Sequence, residues 1–155
     1  MNFRVFVSKP IPKAWLEPLV ASLKIDLSIH ESTESLSQEA WERALGGADG
    51  VLCFVNDRLS RALLQKAAKR LKVVSNFGVG FDNVDLEAAN ELGIAVTTTP
   101  DVLSESTAEM AWALLFAVAR RILEGDSLVR SGKFQGFDPT LLLGMEIAHK
   151  TLGLV

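Results

Sequence analysis

Between Phe3 and Thr97, short runs of β-branched and other apolar residues alternate with segments whose apolar residues recur every three or four positions. This alternation limits the fold more than any other feature of the chain. Strand–helix–strand repetition closes only as a parallel sheet with crossover helices, the α/β class. The expected strands are Phe3 to Val7, Ile25 to Ile29, Val51 to Val55, Leu71 to Val74 and Ile94 to Thr97. Pro12 opens the first helical segment, with Trp15, Leu16, Leu19, Val20 and Leu23 on one stripe. Ser37 is placed to cap a helix carrying Ala40, Trp41 and Leu45, which Gly46 is expected to end. Ser60 precedes a helix carrying Leu63, Leu64, Ala67 and Ala68. Asp85 caps a short helix that stops at Gly93.

The pattern changes after residue 100. Ser106 and Glu109 have capping-box spacing, which predicts one long helix from Ser106 to about Arg130. Its residues from Met110 to Val118 are apolar on every side, as in a helix buried between layers or domains. Residues 131–148 hold Gly132, Gly136, Pro139 and Gly144 and read as an irregular arm. Thr151 to Val155 reads as the opening of another strand. A strand must join a sheet to satisfy its backbone groups, so a second domain is expected to begin there.

Composition narrows the function classes. A chain of 155 residues can build a core without disulfides or metal. Apolar residues at 48% and charged residues at 23% argue against disorder. Formal net charge is −3 and no lysine or arginine stripe is present, so no nucleic-acid partner is expected. The two histidines, His30 and His149, are far apart and outside any ligand-spaced cluster, so no metal site is expected. The single cysteine, Cys53, sits in an apolar run and reads as a core residue. Residues 1–25 lack a signal-peptide pattern, and the apolar run from Met110 to Ala119 is short of the roughly 20 residues that cross a bilayer. The expectation is a cytoplasmic protein without membrane contact. Asp57, near the end of the third strand, stands where a phosphoacceptor receiver keeps its aspartate. However, Val7-Ser8-Lys9 lacks the acidic pair and Thr97-Thr98-Thr99-Pro100 lacks the lysine that such a site needs.

The loop Gly78-Val79-Gly80-Phe81-Asp82 follows the fourth strand, at the carboxyl edge where open α/β sheets bind ligands. Its glycines let the backbone approach a ligand, and consecutive N–H groups there make an anion nest the size of a carboxylate. A tight turn without a ligand is the alternative. The loop is not a dinucleotide fingerprint, because the third glycine of that motif would fall at Asn83.

Around this loop, Leu71-Lys-Val-Val-Ser-Asn-Phe-Gly-Val-Gly-Phe-Asp-Asn-Val-Asp85 resembles the substrate-domain motif of the D-isomer-specific 2-hydroxyacid dehydrogenases. So do Gly93-Ile-Ala-Val-Thr-Thr-Thr-Pro-Asp-Val-Leu-Ser-Glu-Ser-Thr-Ala-Glu109, the arm from Arg130 to Gly144 and the tail Lys150-Thr-Leu-Gly-Leu-Val155. The similarity spans the chain, weakly before Gly50 and strongly from Leu71. The glyoxylate and hydroxypyruvate reductase branch is the nearest in pattern.

The resemblance implies a flavodoxin-like, doubly wound, parallel five-stranded sheet over 1–99 as the substrate-binding domain. It implies an interdomain and dimer helix over 100–131, a dimerisation arm over 132–148, and the first strand of a Rossmann domain over 149–155. It assigns the substrate carboxylate to backbone groups of Val79 and Gly80, the pocket wall to Val55, and a cofactor contact to Thr107. By the residues alone, Val55 and Val79 are equally readable as core, and Thr107 as a first-turn residue bonding its own backbone. The implied cofactor is NAD or NADP in a longer parent, with weak or absent binding by this chain. The implied partners are a small 2-keto or 2-hydroxy acid and a second copy, joined through the 106–130 helix and the 132–148 arm. The catalytic arginine, histidine and carboxylate of the family are expected beyond Val155, so no catalytic residue is assigned and the chain alone is expected to be inactive. Phe137 stands where this branch is expected to have tryptophan, and His149 where glycine is usual. The competing readings are a stand-alone carboxylate-binding or regulatory module, and a corepressor-like relative that keeps the fold without catalysis.

Overall fold

A computed structural model describes residues 2–154, and the chain divides into two units between Asp101 and Val102. The first unit runs β1 (Phe3–Val7), a 3-10 turn (Lys13–Trp15), α1 (Glu17–Leu23), β2 (Ile25–Ile29), α2 (Gln38–Gly47), β3 (Gly50–Phe54), α3 (Arg61–Ala67), β4 (Val73–Phe77), α4 (Leu86–Glu91) and β5 (Ala95–Thr97). The strands form one all-parallel sheet in the order β2-β1-β3-β4-β5. This is the flavodoxin-like order, in which the winding reverses between β1 and β3.

Local chemistry sets most boundaries as expected. The Ser37 hydroxyl accepts from Ala40 N at 3.2 Å and caps α2, and Asp85 Oδ1 accepts from Ala88 N at 2.8 Å and caps α4. Ser60 stands at the cap position of α3 but makes no capping bond. Lys24, at φ 53°, ends α1 and turns the chain directly into β2.

Strand β3 sits one residue earlier than expected and β5 begins one residue later, and two further boundaries move because the sheet overrides local signals. Helix α2 continues through Gly46 to Gly47, and stops where Asp49 N binds Arg4 O at 2.8 Å and draws the chain into β3. Strand β4 covers Val73–Phe77 rather than Leu71 to Val74. Leu71 N still closes the turn after α3 on Ala67 O, while Ser75 and Asn76 extend the ladder opposite Leu52 and Cys53.

The core joins one sheet face to α2, α3 and α4. Leu45, Leu59 and Leu64 are fully buried, and Val51, Val74 and Ala88 complete its centre. Each such leucine contributes about 1.5–3 kcal/mol by leaving water. Phe6 meets Trp41 edge to face, with centroids 6.0 Å apart.

The second unit holds α5 (Ser104–Ala119) and α6 (Ile122–Arg130). The single helix expected over 106–130 is therefore two. Arg121 adopts a left-handed conformation, φ 54°, which stops one helix and starts the next. Its guanidinium pairs with Glu124 in the first turn of α6. Helix α5 begins at Ser104, so Ser106 lies inside it and forms no capping box. Met110, Leu114 and Val118 are exposed, so the helix expected to be buried all round is not buried by this chain. Residues 131–148 form an irregular arm as expected, tied back by Met145 N donating to Ala119 O at 2.7 Å. Residues 151–154 of the strand expected over Thr151 to Val155 carry none, as no strand among the described residues pairs with them, and Val155 lies outside the described residues.

Candidate functional site

The parallel register decides which residues meet at the carboxyl edge of the sheet. Phe54 lies opposite Phe77, so Val55 leaves β3 beside Gly78 as it leaves β4. A Cβ on Gly78 would stand 2.5 Å from Val55 Cγ1, so these two residues are packed with no room between them. Val55 is 56% exposed and Val79 49% exposed, which removes the core reading of either. Gly80 is also exposed, and a Cβ there would meet nothing nearer than Asp82 Oδ2 at 3.8 Å. Val55, Val79 and Gly80 thus lie at one edge of the sheet.

The loop from Gly78 to Asn83 is held from below by side-chain amides. Asn76 is buried in β4, and its Nδ2 donates to Gly80 O at 2.7 Å and to Asn83 Oδ1 at 3.1 Å. Asn83 Nδ2 donates to Asn76 Oδ1 at 3.2 Å, Asp57 O at 2.9 Å and Phe54 O at 3.2 Å. Thr99 N binds Gly78 O at 2.9 Å, and Val84 N binds Phe81 O at 2.9 Å. Among the described residues, the amides of Val79, Gly80 and Phe81 find no acceptor. Adjacent unpaired N–H groups beside an exposed glycine are the elements of an anion site.

Sequence reasoning passed over Asn76 and Asn83. Asn76 falls past the strand expected to end at Val74 and Asn83 falls in the loop, so neither read as buried until strand pairing carried β4 on to Phe77.

Asp57 is buried, with Ser8 Oγ and Phe54 N (2.9 Å) both donating to its Oδ2. It ties the exits of β1 and β3 together. Burial, and then the nearby Asp57 charge, push the Cys53 thiol up to about 12, so it is inert as a nucleophile near neutral pH. Among the described residues, no group of His, Cys, Asp and Glu could hold a metal ion, and no helix is long and apolar enough to cross a membrane.

Thr107 belongs to the second unit. It is exposed in the first turns of α5, its amide makes the ordinary helical bond to Leu103 O at 2.9 Å, and its hydroxyl bonds no backbone group.

The family model described as D-isomer specific 2-hydroxyacid dehydrogenase, catalytic domain, matches residues 5–135. The chain belongs to this family. The glyoxylate reductase of Aeropyrum pernix is 40% identical over 156 residues, 98% of this chain and 46% of that protein. The crystal structure of TT0316 protein from Thermus thermophilus superposes with a TM-score of 0.86 at 39% identity, covering 94% of this chain and 46% of that one. D-lactate dehydrogenase from Aquifex aeolicus, solved with NAD and lactic acid, superposes with a TM-score of 0.72 at 28% identity, covering 93% and 41%. The chain spans about half the length of the curated relatives it matches. Within this family, the five-stranded first unit matches the flavodoxin-like fold of the substrate-binding domain.

Proposed function

We propose that this chain supplies the substrate-binding side of an NAD(P)-dependent D-2-hydroxyacid dehydrogenase that reduces a small 2-keto acid, such as glyoxylate or hydroxypyruvate. The observation that carries this reading is the row of unpaired amides at Val79 and Gly80 on a loop whose carbonyls at Gly78 and Gly80 are bonded inward. Such a loop offers donors and turns the Gly78 and Gly80 acceptors inward, which suits a carboxylate better than a neutral or cationic group. Val55 and Val79 form an apolar rim beside the amides and would pack on a short carbon chain.

The residues present do not form a dinucleotide cradle. Asn83 replaces the third glycine of the fingerprint and is committed to the loop by its hydrogen bonds, so among the described residues the exposed Thr107 hydroxyl is the one cofactor contact we assign. NAD or NADP is thus assigned to the longer parent, where it would supply the hydride. What this chain does is hold and orient the acid. No residue on it is assigned as the proton donor.

The second unit supports a homodimer reading. Trp112, Phe116, Val118 and Phe137 are exposed on α5 and the arm, and apolar surface of that kind is rarely left open on a monomer. Light scattering should give twice the chain mass, and a monodisperse monomer would refute this part.

Calorimetry tests the site. Glyoxylate and D-glycerate should give saturable heat, and glycolamide none. Equal heat from the neutral amide, or none from the acids, would overturn the carboxylate reading. The same protein should leave NADH and NADPH unoxidised with glyoxylate present. Steady, substrate-dependent oxidation would show that the chain is catalytic by itself.

A further inference from the structure

The loop's amides are useful only if they point outward, and the peptide group itself shows what aims them. A trans peptide is planar, with its C=O and N–H on opposite sides, so fixing a carbonyl inward turns the next residue's N–H outward. No described peptide bond is cis. Thr99 N holds Gly78 O, which directs the Val79 N–H away from the protein. Asn76 Nδ2 holds Gly80 O at 2.7 Å, which does the same for the Phe81 N–H. Among the described residues no donor reaches Val79 O, so the Gly80 N–H between them is free to adapt.

We infer that the Asn76–Asn83 carboxamide pair acts as a positioning device, turning the N–H groups of the Gly78–Phe81 loop toward the substrate carboxylate and adding Phe81 N–H to the donors that receive it. This rests on the carboxylate reading above.

The two side chains form a reciprocal amide pair, Nδ2 to Oδ1 at 3.1 and 3.2 Å in the two directions, so each fixes the other's orientation. Asn83 Nδ2 also reaches Phe54 O and Asp57 O, which anchors the pair to the exit of β3. The bond from Asn76 to Gly80 O is therefore braced by the sheet rather than by the exposed part of the loop. The bracing matters because Asp82 Oδ2 lies 3.8 Å from where a Gly80 Cβ would stand. With a carboxylate so near, attraction for an anion must come from N–H groups held in place.

Removing the Asn76 donor would leave Gly80 O without its partner and free that peptide to rotate, presenting a carbonyl to the incoming carboxylate. An aspartate would be worse, since it sets an oxygen against both Gly80 O and Asn83 Oδ1.

The test is residue-resolved NMR on the full 155-residue chain, as purified and as Asn76→Leu and Asn83→Ala, titrated with glycolate and separately with glycolamide. In the unsubstituted chain, glycolate should move the amide resonances of Val79, Gly80 and Phe81 saturably, and glycolamide should not. Both variants should keep the dispersed core spectrum, bind glycolate about five- to tenfold more weakly, and show smaller saturating shifts at Val79 and Phe81. If Asn76→Leu does not fold, Asn83→Ala decides, because Asn83 is only partly buried. A folded variant with unchanged affinity and unchanged shifts overturns the positioning role and leaves the carboxylate site standing. No glycolate shift at these amides in the unsubstituted chain overturns the carboxylate site, and this inference with it.

Discussion

Replacing Gly78 with alanine places a methyl group 2.5 Å from Cγ1 of Val55 and 3.9 Å from Nδ2 of Asn76. Two carbons prefer roughly 3.5–4.0 Å, so about 1 Å must be found. Val55 cannot swing aside cheaply, because its branch lies at Cβ and its χ1 is stiff. Backbone strain plays no part, since Gly78 is not among the positive-φ residues. The cost is therefore steric, about 1–3 kcal/mol. Val55→Ala should cost less than about 1 kcal/mol, given how much of that side chain is already in water. In the double variant the nearest Val55 atom left is its Cβ, 4.0 Å away, an ordinary contact. The two substitutions should thus couple, with Val55→Ala restoring most of the stability lost by Gly78→Ala. Gly80→Ala is the control, expected to be neutral or to stabilise by up to about 1 kcal/mol by restricting the unfolded chain. Urea unfolding followed by far-UV circular dichroism measures all four. A Gly78→Ala protein within about 0.5 kcal/mol of the parent, or one that Val55→Ala fails to rescue, would refute the packing argument.

The Cys53 thiol, raised by burial, is expected to stay unlabelled by aromatic disulfide reagents at pH 8 until the unit unfolds. The sign is that of a raised acid. Its stabilising contribution is complete below the ordinary thiol range and is lost as pH climbs toward about 12, and rapid labelling of the folded chain would refute it. Asp49 is held below the ordinary carboxylate range by Arg4 N–H at 2.8 Å and then by Arg70 at 3.0 Å. A lowered acid stabilises above its ordinary range and loses that effect as pH falls through the lowered value. Asp49→Asn should therefore flatten the acid limb of a stability–pH curve, and an unchanged limb would count against the interaction. Gly144→Ala would drive a methyl into the Ala119 carbonyl that receives Met145 N–H, so the 131–148 arm should be cleaved faster in limited proteolysis. An unchanged digestion rate would show that the arm is held elsewhere.

The order and kind of the elements in the first unit were legible because each signal was local and agreed with its neighbours. Ser37 and Asp85 cap helices by accepting bonds three residues on, and Gly93 takes the positive φ, 66°, that ends the turn after α4. The errors arose where distant pairing outranked local preference. Gly46 looks like a stop, yet the chain leaves α2 only where Asp49 finds Arg4 on β1. Ser75 and Asn76 look like a loop, yet pairing with Leu52 and Cys53 holds both in β4. The Arg121 break was invisible for a different reason. Arginine is a good helix former, and nothing local announces a left-handed arginine.

The site shows the same division within a single motif. In the sequence, Gly78 and Gly80 are an undifferentiated pair, and any argument from backbone freedom applies equally to both. The structure gives them opposite reasons to be glycine. Gly78 is inside the protein and has no room for a side chain, because Val55 occupies that space. Gly80 has room, adopts no conformation that requires glycine, and faces outward. A position that could carry a side chain at no cost to the fold, beside unpaired amides, leaves its surface open. Packing accounts for Gly78, whereas nothing in the packing requires glycine at Gly80, and the carboxylate reading proposed above is what would give that position a role. Asn76 and Asn83 follow from the same logic, since carboxamides shielded from water are costly unless every donor and acceptor is used, and here the last of those donors is spent on the Gly80 carbonyl.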